Sequence, residues 1–451
     1  MKDSGISWIG EVPESWETMR FRQLFSFGKG LSITKDDLVE EGFPVISYGQ
    51  IHAKINSGTR LCSELYRYVD EKYLIKYSSC LVKRDDFIFA DTSEDYAGIG
   101  NCAFIDKDEN IFAGYHTIIA RPMFSNMYPQ FFAYFFLTNC WRDQIRANVM
   151  GIKVFSITQK NLRNTQILFP PTSEQRAIAS FLDRRCAQID GIIADLERQI
   201  DLLKRYKKSL ITETVTKGLD KNAPMKDSGV EWIGEIPEHW GVKKLKYFCI
   251  VKTGPFGTQL SADEYTLDGN PIINVKNIGY GDIIEDDLDF IPDDVKQRLS
   301  VHVLKKGDVV FGRKGSVDKH AIIKCKHDGW VQGSDCIRVR IQKGIEPEFL
   351  NYYFESQGYG EYVTINSVGS TMASVNSDIL NNSVIVVPRP EEQKNIIEFL
   401  NKKLEEINRI TAGKDNQLEA MKNYKQSLIY EYVTGKKRVK EVRPCPSEQT
   451  S

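Results

Sequence analysis

The chain has 451 residues, enough for two or three domains, and its 41% hydrophobic content is ample for packed cores. Sixty lysines and arginines against 61 aspartates and glutamates leave a formal net charge of -1. Nothing in the bulk charge demands an acidic partner such as nucleic acid, although an acidic rear surface can hide a basic groove. The nine cysteines (Cys62, Cys80, Cys102, Cys140, Cys186, Cys249, Cys325, Cys336 and Cys445) are odd in number and never in C-x-x-C spacing, so they read as reduced cytosolic thiols. The N-terminus has no apolar leader, and no window approaches the ~18 apolar residues of a membrane span. A cytoplasmic protein with no membrane association is expected.

Residues 1–16, MKDSGISWIGEVPESW, return at 225–240 as MKDSGVEWIGEIPEHW with twelve identical positions, which makes them a duplication. Both copies read as docking segments, with Trp8, Trp16, Pro13 and their repeats fastening a domain onto the helices that follow. From 17 to 165, short β-branched and aromatic runs (FPVISYGQI, DDFIFADTS, HTIIARP) alternate with Gly and Asn turns, which predicts strands in an α/β or α+β domain. The stretch 172–218 then carries a helix-period apolar stripe from end to end. Pro170 and Pro171 block an earlier start, Thr172 and Gln175 have capping-box spacing, and Gly218 supplies a stop. A helix of this length, roughly 65 Å at ~1.5 Å per residue, needs a partner helix. The block 241–383 repeats the plan of 17–165 in different words: Asp86-Phe-Ile-Phe answers to Asp308-Val-Val-Phe, and Gly151 and Ser156 to Gly369 and Ser374. The stretch 390–435 repeats the long helix, and the tail 436–451 is short, basic then polar, and expected to be disordered.

On a heptad template the seam of the first helix is Ile178, Leu182, Ile189, Ile192, Leu196, Leu203, Tyr206 and Leu210, interrupted by Arg185 and Gln199. The second helix repeats it at an offset of 218 residues as Ile396, Leu400, Ile407, Ile410, Met421, Tyr424 and Leu428, interrupted by Lys403, Lys414 and Gln417. The fold class is therefore α+β, a pseudo-two-fold tandem repeat of two α/β-type globular domains joined by two long helices in an antiparallel coiled coil. The helices agree closely while the globular blocks diverge, which suits a common spine presenting two different binding surfaces. Catalysis finds no support: the sequence lacks a phosphate loop, a nucleophile elbow, H-E-x-x-H and Cys/His metal spacing, and its six histidines form no ligand pair.

The duplicated helices opened by PPTSEQ and PRPEEQ, the repeated WIGE-x-PE-x-W segments and the paired variable blocks resemble the specificity subunit, HsdS, of type I restriction-modification systems over the whole chain. The resemblance implies two target recognition domains, 17–165 and 241–383, each reading one half of a bipartite, asymmetric site on double-stranded DNA. It also implies that two methyltransferase subunits bind the helical spine and that restriction subunits join the complex. No cofactor is implied in this chain; S-adenosylmethionine, ATP and Mg are expected in the partner subunits. Two similar domains on antiparallel helices would be related by an approximate two-fold axis and could meet a duplex in inverted orientations.

In the second domain the Gly-flanked basic turn FGRKGSVDKH nominates Arg313, Lys314, Ser316 and Lys319 as DNA contacts, with Asn274, Lys276, Asn277, Ser370 and Thr371 as further candidates. The parallel positions of the first domain are Lys29, Ser32, Thr34, Lys35, Tyr48, Gln50, Thr92, Ser93 and Lys153. There Asp91-Thr92 replaces the Arg-Lys pair, so the first half-site is expected to be read by different contacts. A structural scaffold whose domains bind peptides is the alternative; sequence-specific, salt-sensitive DNA retention separates the two.

Overall fold

The computed structural model describes residues 1–6, 8–149, 151, 153–256, 259–368 and 373–439. They divide into two compact units: Met1–Asp195 together with the described residues from Gln417 on, and Leu196–Asn416. Each unit takes the first part of one long helix and the last part of the other. Among the described residues no helix is long and apolar enough to cross a membrane.

In the first unit a four-stranded antiparallel sheet has the order Cys102–Phe104, Phe87–Ala90, Thr117–Pro122, Phe25–Lys29. Its strand Phe87–Ala90 is buried at every residue, which is why the sequence there is continuously apolar. A five-stranded sheet centred on Phe43–Ile46, which runs parallel to Ile111–Ala113, packs beside it. The second unit repeats this frame: Thr117–Pro122 has its counterpart in Cys336–Ile341, Phe87–Ala90 in Val309–Gly312, and the parallel pair in Asn270–Ile273 with Val331–Gln332. Each globular block is closed by its own two ends. Glu17–Arg20 pairs with Gln166–Phe169, and Gly241–Lys244 with Val384–Val387. These closing strands run past the 165 and 383 ends read from the sequence. The first core is aromatic, with Phe136 and Trp141 ring centroids 4.5 Å apart and Phe21 on Phe25 at 4.7 Å.

The long helices are Thr172–Lys217 and Pro390–Val433. In the first unit they run antiparallel: Phe181 stacks on Tyr432 at 4.4 Å and Lys425 bonds Asp190 at 2.6 Å. In the second, Ile211 and Val215 share a core with Ile396, Leu400, Leu404 and Ile407. Ile178, Leu182, Ile189, Leu196 and Leu428 are likewise buried, and Leu203, Leu210 and Met421 are half-buried. Four expected seam residues are not: Ile192, Tyr206, Ile410 and Tyr424 are 40% to 55% exposed. The covered stripe instead runs Leu182, Cys186, Ile189, Ile193, Leu196, Ile200, and in the second helix Leu400, Leu404, Ile407, Thr411. After Leu182 and Leu400 the helix makes a second step of four where a heptad makes a step of three. The extra step is a one-residue skip, after which the four-three alternation of a heptad resumes with every alternate seam position one residue later. Arg185 and Gln199 therefore do not interrupt the seam, because they lie outside it.

The helix heads also differ from a capping box. Gln175 is buried, accepting from the Tyr128 amide at 2.8 Å and donating to the Pro170 carbonyl at 2.7 Å. Gln393 repeats this with the Glu346 amide at 2.7 Å and the Pro388 carbonyl at 2.9 Å. The docking segments cover the helix ends. Trp16 donates to Glu174 at 3.0 Å, and the left-handed Gly435 leaves no room for a side chain beside Pro13. In the other repeat Trp240 donates to Glu392 at 3.4 Å, and a Cβ on the left-handed Gly218 would stand 3.1 Å from the Trp240 ring. Trp8 departs from the docking reading, being exposed, whereas its repeat Trp232 lies 5.5 Å from the Tyr362 ring. At the start of the expected disordered tail, Lys436 donates to the Glu11 carbonyl at 2.7 Å and Lys437 pairs with Glu431 at 2.8 Å. Residues 440–451 and Cys445 lie outside the described residues.

The shifted seam is tested by charge insertion. Burial pushes the Cys186 thiol up to about 11, so Cys186→Asp places a carboxylate in the covered stripe and should cost about 3 kcal/mol or more. Arg185→Ala, on the outside, should stay within about 0.5 kcal/mol. Denaturant unfolding of both variants checks the order, which the heptad template would reverse.

Candidate nucleic-acid interface

Two strand ends meet at the same place in each unit. In the first, the amide of Asp91 donates to the His116 carbonyl at 3.1 Å; in the second, the amide of Arg313 donates to the Asp335 carbonyl at 2.8 Å. Behind them an ion pair between a buried aspartate and a half-buried arginine fixes the strands. Asp86 accepts from the Lys83 amide at 3.1 Å and from Arg121 at 3.2 Å, and Asp308 from the Lys305 amide at 2.8 Å and from Arg340 at 2.6 Å. Burial raises the Asp86 carboxyl, and the Lys83 amide and Arg121 oppose that rise. Close backbone approach completes the frame: a Cβ on Gly30 would stand 2.0 Å from the Gly114 carbonyl, and one on Gly254 would stand 1.9 Å from that of Gly333.

On this frame the two units carry different side chains. In the first unit Asp91 Oδ1 accepts from Thr92 Oγ1 at 2.8 Å and faces His116 Nδ1 at 3.2 Å. Tyr48 packs on His116, ring centroids 5.5 Å apart, and on Tyr115 at 5.8 Å. His52 donates from Nε2 to the Thr92 carbonyl at 2.9 Å and accepts at Nδ1 from Asn101 at 3.1 Å, so its tautomer is set. In the second unit the Arg313 guanidinium lies 4.8 Å from the Phe256 ring centroid, Lys314 pairs with Asp335 at 3.1 Å, and Lys319 stands over Tyr280 at 6.0 Å.

The structure thus brings together Tyr48 and Thr92 in one unit and Arg313 and Lys314 in the other. Lys29, Ser32, Thr34, Lys35, Lys153 and Ser316 are exposed. Thr34 turns back onto Asp37, donating at 3.0 Å. Four nominated residues serve the fold instead. Ser93 is buried and donates to the Asp95 carbonyl at 2.7 Å, and Gln50 accepts from the Ser47 amide at 3.1 Å. Asn274 donates to Asp289 at 2.8 Å. Asn277 is 0% exposed, accepting from the Asn274 amide at 3.1 Å and donating to the Ile284 and Asp286 carbonyls, each at 3.2 Å. An Asx-type turn spends the polar atoms that a base contact would need. Lys276 is held by Asp287 at 2.8 Å and Asp289 at 3.1 Å. Ser370 and Thr371 lie outside the described residues. Asp91, His116, Asp335 and Phe256 were not nominated; aligning HTIIARP with DCIRVRI would have found the pair His116 and Asp335.

Among the described residues no group of three or more His, Cys, Asp or Glu could hold a metal ion. His320 is wholly buried between the Asp318 and Asn351 carbonyls, and burial lowers its pKa. Asn277→Ala should therefore lower stability by about 2 kcal/mol, by orphaning a buried amide and two carbonyls. A thermal melt reads this, and a folded variant should keep the ligand preference of the parent.

A family model described as the type I restriction modification DNA specificity domain matches residues 13–201 and 237–420. The chain is 23% identical over 446 residues to the type I restriction enzyme MjaVIII specificity subunit of Methanocaldococcus jannaschii, covering 96% of this chain and 95% of that protein. It is also 23% identical over 431 residues to the EcoKI specificity subunit of Escherichia coli strain K12, covering 93% and 89%. Among solved structures, a chain from a study of assembly and conformational transition of the type I R-M system has a TM-score of 0.65 at 17% identity, covering 94% of this chain and 98% of that one. The HsdS subunit from Thermoanaerobacter tengcongensis has a TM-score of 0.50 at 16% identity, covering 96% and 100%. At such identities the structural likeness is one of fold. Two matched domains spanning most of the sequence place this chain in the family of type I restriction-modification DNA specificity subunits.

Proposed function

We propose that this chain is the DNA-sequence reader of a type I restriction-modification complex. Each unit reads one half of a bipartite, asymmetric target, and the long helices bind methyltransferase subunits. The chain itself carries out no chemistry. Adenine methylation with S-adenosylmethionine, and ATP- and Mg-dependent translocation and cleavage, belong to methyltransferase and restriction partners.

One observation carries this reading: the two units share the order and register of four antiparallel strands, the aspartate–arginine pair and the glycine contacts, yet differ where the paired strand ends emerge. A frame kept twice with different side chains at one place suits two recognition events of the same kind on different sequences. Contacts to the DNA backbone position a protein without reading sequence, so a backbone-only binder gains nothing from different side chains at this one place. The family match does not favour a peptide-binding scaffold, and sequence-specific DNA retention by the complex with its methyltransferase is the outcome such a scaffold would not give.

The test is a domain exchange. Replacing 241–383 with the corresponding block of a relative of different specificity should change one half of the methylated sequence and leave the other half intact, read by methylome sequencing. A change in both halves, or in neither, contradicts one reader per unit.

A further inference from the structure

The paired strand ends carry opposite hydrogen-bonding polarity in the two units. Asp91 and Arg313 occupy the same place, since each donates its amide to the residue that opens the neighbouring strand, His116 in one unit and Asp335 in the other. Around that shared bond the side chains differ in kind. The first unit has a carboxylate on the leading strand and an imidazole facing it; the second has a guanidinium on the leading strand and a carboxylate opposite.

In both units the leading side chain keeps unused capacity. The two contacts to Asp91 both fall on Oδ1, and Oδ2 makes no hydrogen bond among the described residues. The carboxylate is 34% exposed, and His116, which steadies it, is held in a left-handed conformation at φ 55 although it is not glycine. Arg313 makes no side-chain hydrogen bond among the described residues. Its Nε is shut from solvent without a partner, its guanidinium carbon stands 4.8 Å from the Phe256 ring centroid, and Asp335 is engaged by Lys314 instead. An aromatic face that orients a guanidinium and leaves its N–H fork unspent is a preformed donor.

Taking the DNA-reading function as given, we infer that Asp91 and Arg313 are equivalent specificity-determining residues of opposite polarity. In the major groove, amino donors are presented by cytosine N4 and adenine N6, and paired acceptors by guanine O6 and N7. Asp91, an acceptor, takes a cytosine or adenine in the first half-site; Arg313, a two-pronged donor, takes a guanine in the second. His116 is a positioning residue that holds the Asp91 carboxylate.

The experiment uses the full chain in complex with its methyltransferase subunits and selects bound duplexes from a random-sequence library, for the parent and for Asp91→Ala, Asp91→Asn and Arg313→Gln. The parent should specify a cytosine or adenine in one half and a guanine in the other. Arg313→Gln should lose roughly 10- to 100-fold discrimination at that guanine alone. Asp91→Ala should relax one position of the opposite half, and Asp91→Asn should move that position toward adenine, which an amide pairs bidentately. Where a variant melts early, Asp91→Glu and Arg313→Lys keep the charge, alter its reach, and should weaken preference at the same positions. If the parent retains no specific sequence, the DNA-reading function itself fails. If the parent is selective and the folded variants keep every base preference, or if both substitutions act on one half, the function stands and this inference is overturned.

Discussion

Each unit depends on a helix segment covered from two sides, by the globular block that precedes it and by the antiparallel segment of the other long helix. A 46-residue helix with one apolar stripe gains little from its own hydrogen bonds in water, and most of its stability comes from that coverage. The buried glutamines Gln175 and Gln393 make the junction directional. Each uses both ends of its amide, one on the globular block's backbone and one on the proline carbonyl five residues back. A buried amide left half-satisfied would cost more than it contributes, so the angle between block and helix is set by hydrogen-bond geometry as well as by packing. The docking segments finish the helix ends, which places the first docking segment and residues 436 and 437 in one unit.

The duplication, the two long helices and their limits were legible because they are local or repetitive signals: proline before, glycine after, and an offset held from Ile178 to Leu428. The seam was half legible. Leu182, Ile189, Leu196 and Leu203 belong to it, but a heptad template must choose between Ile192 and Ile193, and only the packed globular domain decides for the second. The site was less legible for a related reason. Asn277 and Ser93 are polar residues in turns, the usual mark of a contact residue, and the fold uses both internally. Asp91 and His116 come together through strand pairing across 25 residues, and register between strands is a tertiary fact with no local sequence mark. Arg313 could be picked out from the sequence, whereas the Phe256 face that orients it could not.

This division explains how such a chain can diversify. The elements that hold the frame make mutually satisfied contacts: the buried aspartate with its half-buried arginine behind the strands, the glycine contacts, and the buried cores. Substitution there costs stability. The strand ends are partly exposed and their side chains make few obligatory contacts, so Asp91 with His116 and Arg313 with Asp335 can stand on one frame without disturbing it. Under the proposed reading, new specificity would need only side-chain changes at places the fold does not use.

The central claim is that two units of one fold read two different sequences. The most direct measurement is a footprint of the purified complex, by hydroxyl radical and base methylation, on its own methylated target. The account predicts two protected blocks of unlike sequence separated by base pairs whose identity does not matter, with each block lost separately when its own unit is replaced. A single continuous block, or two identical halves, would contradict it.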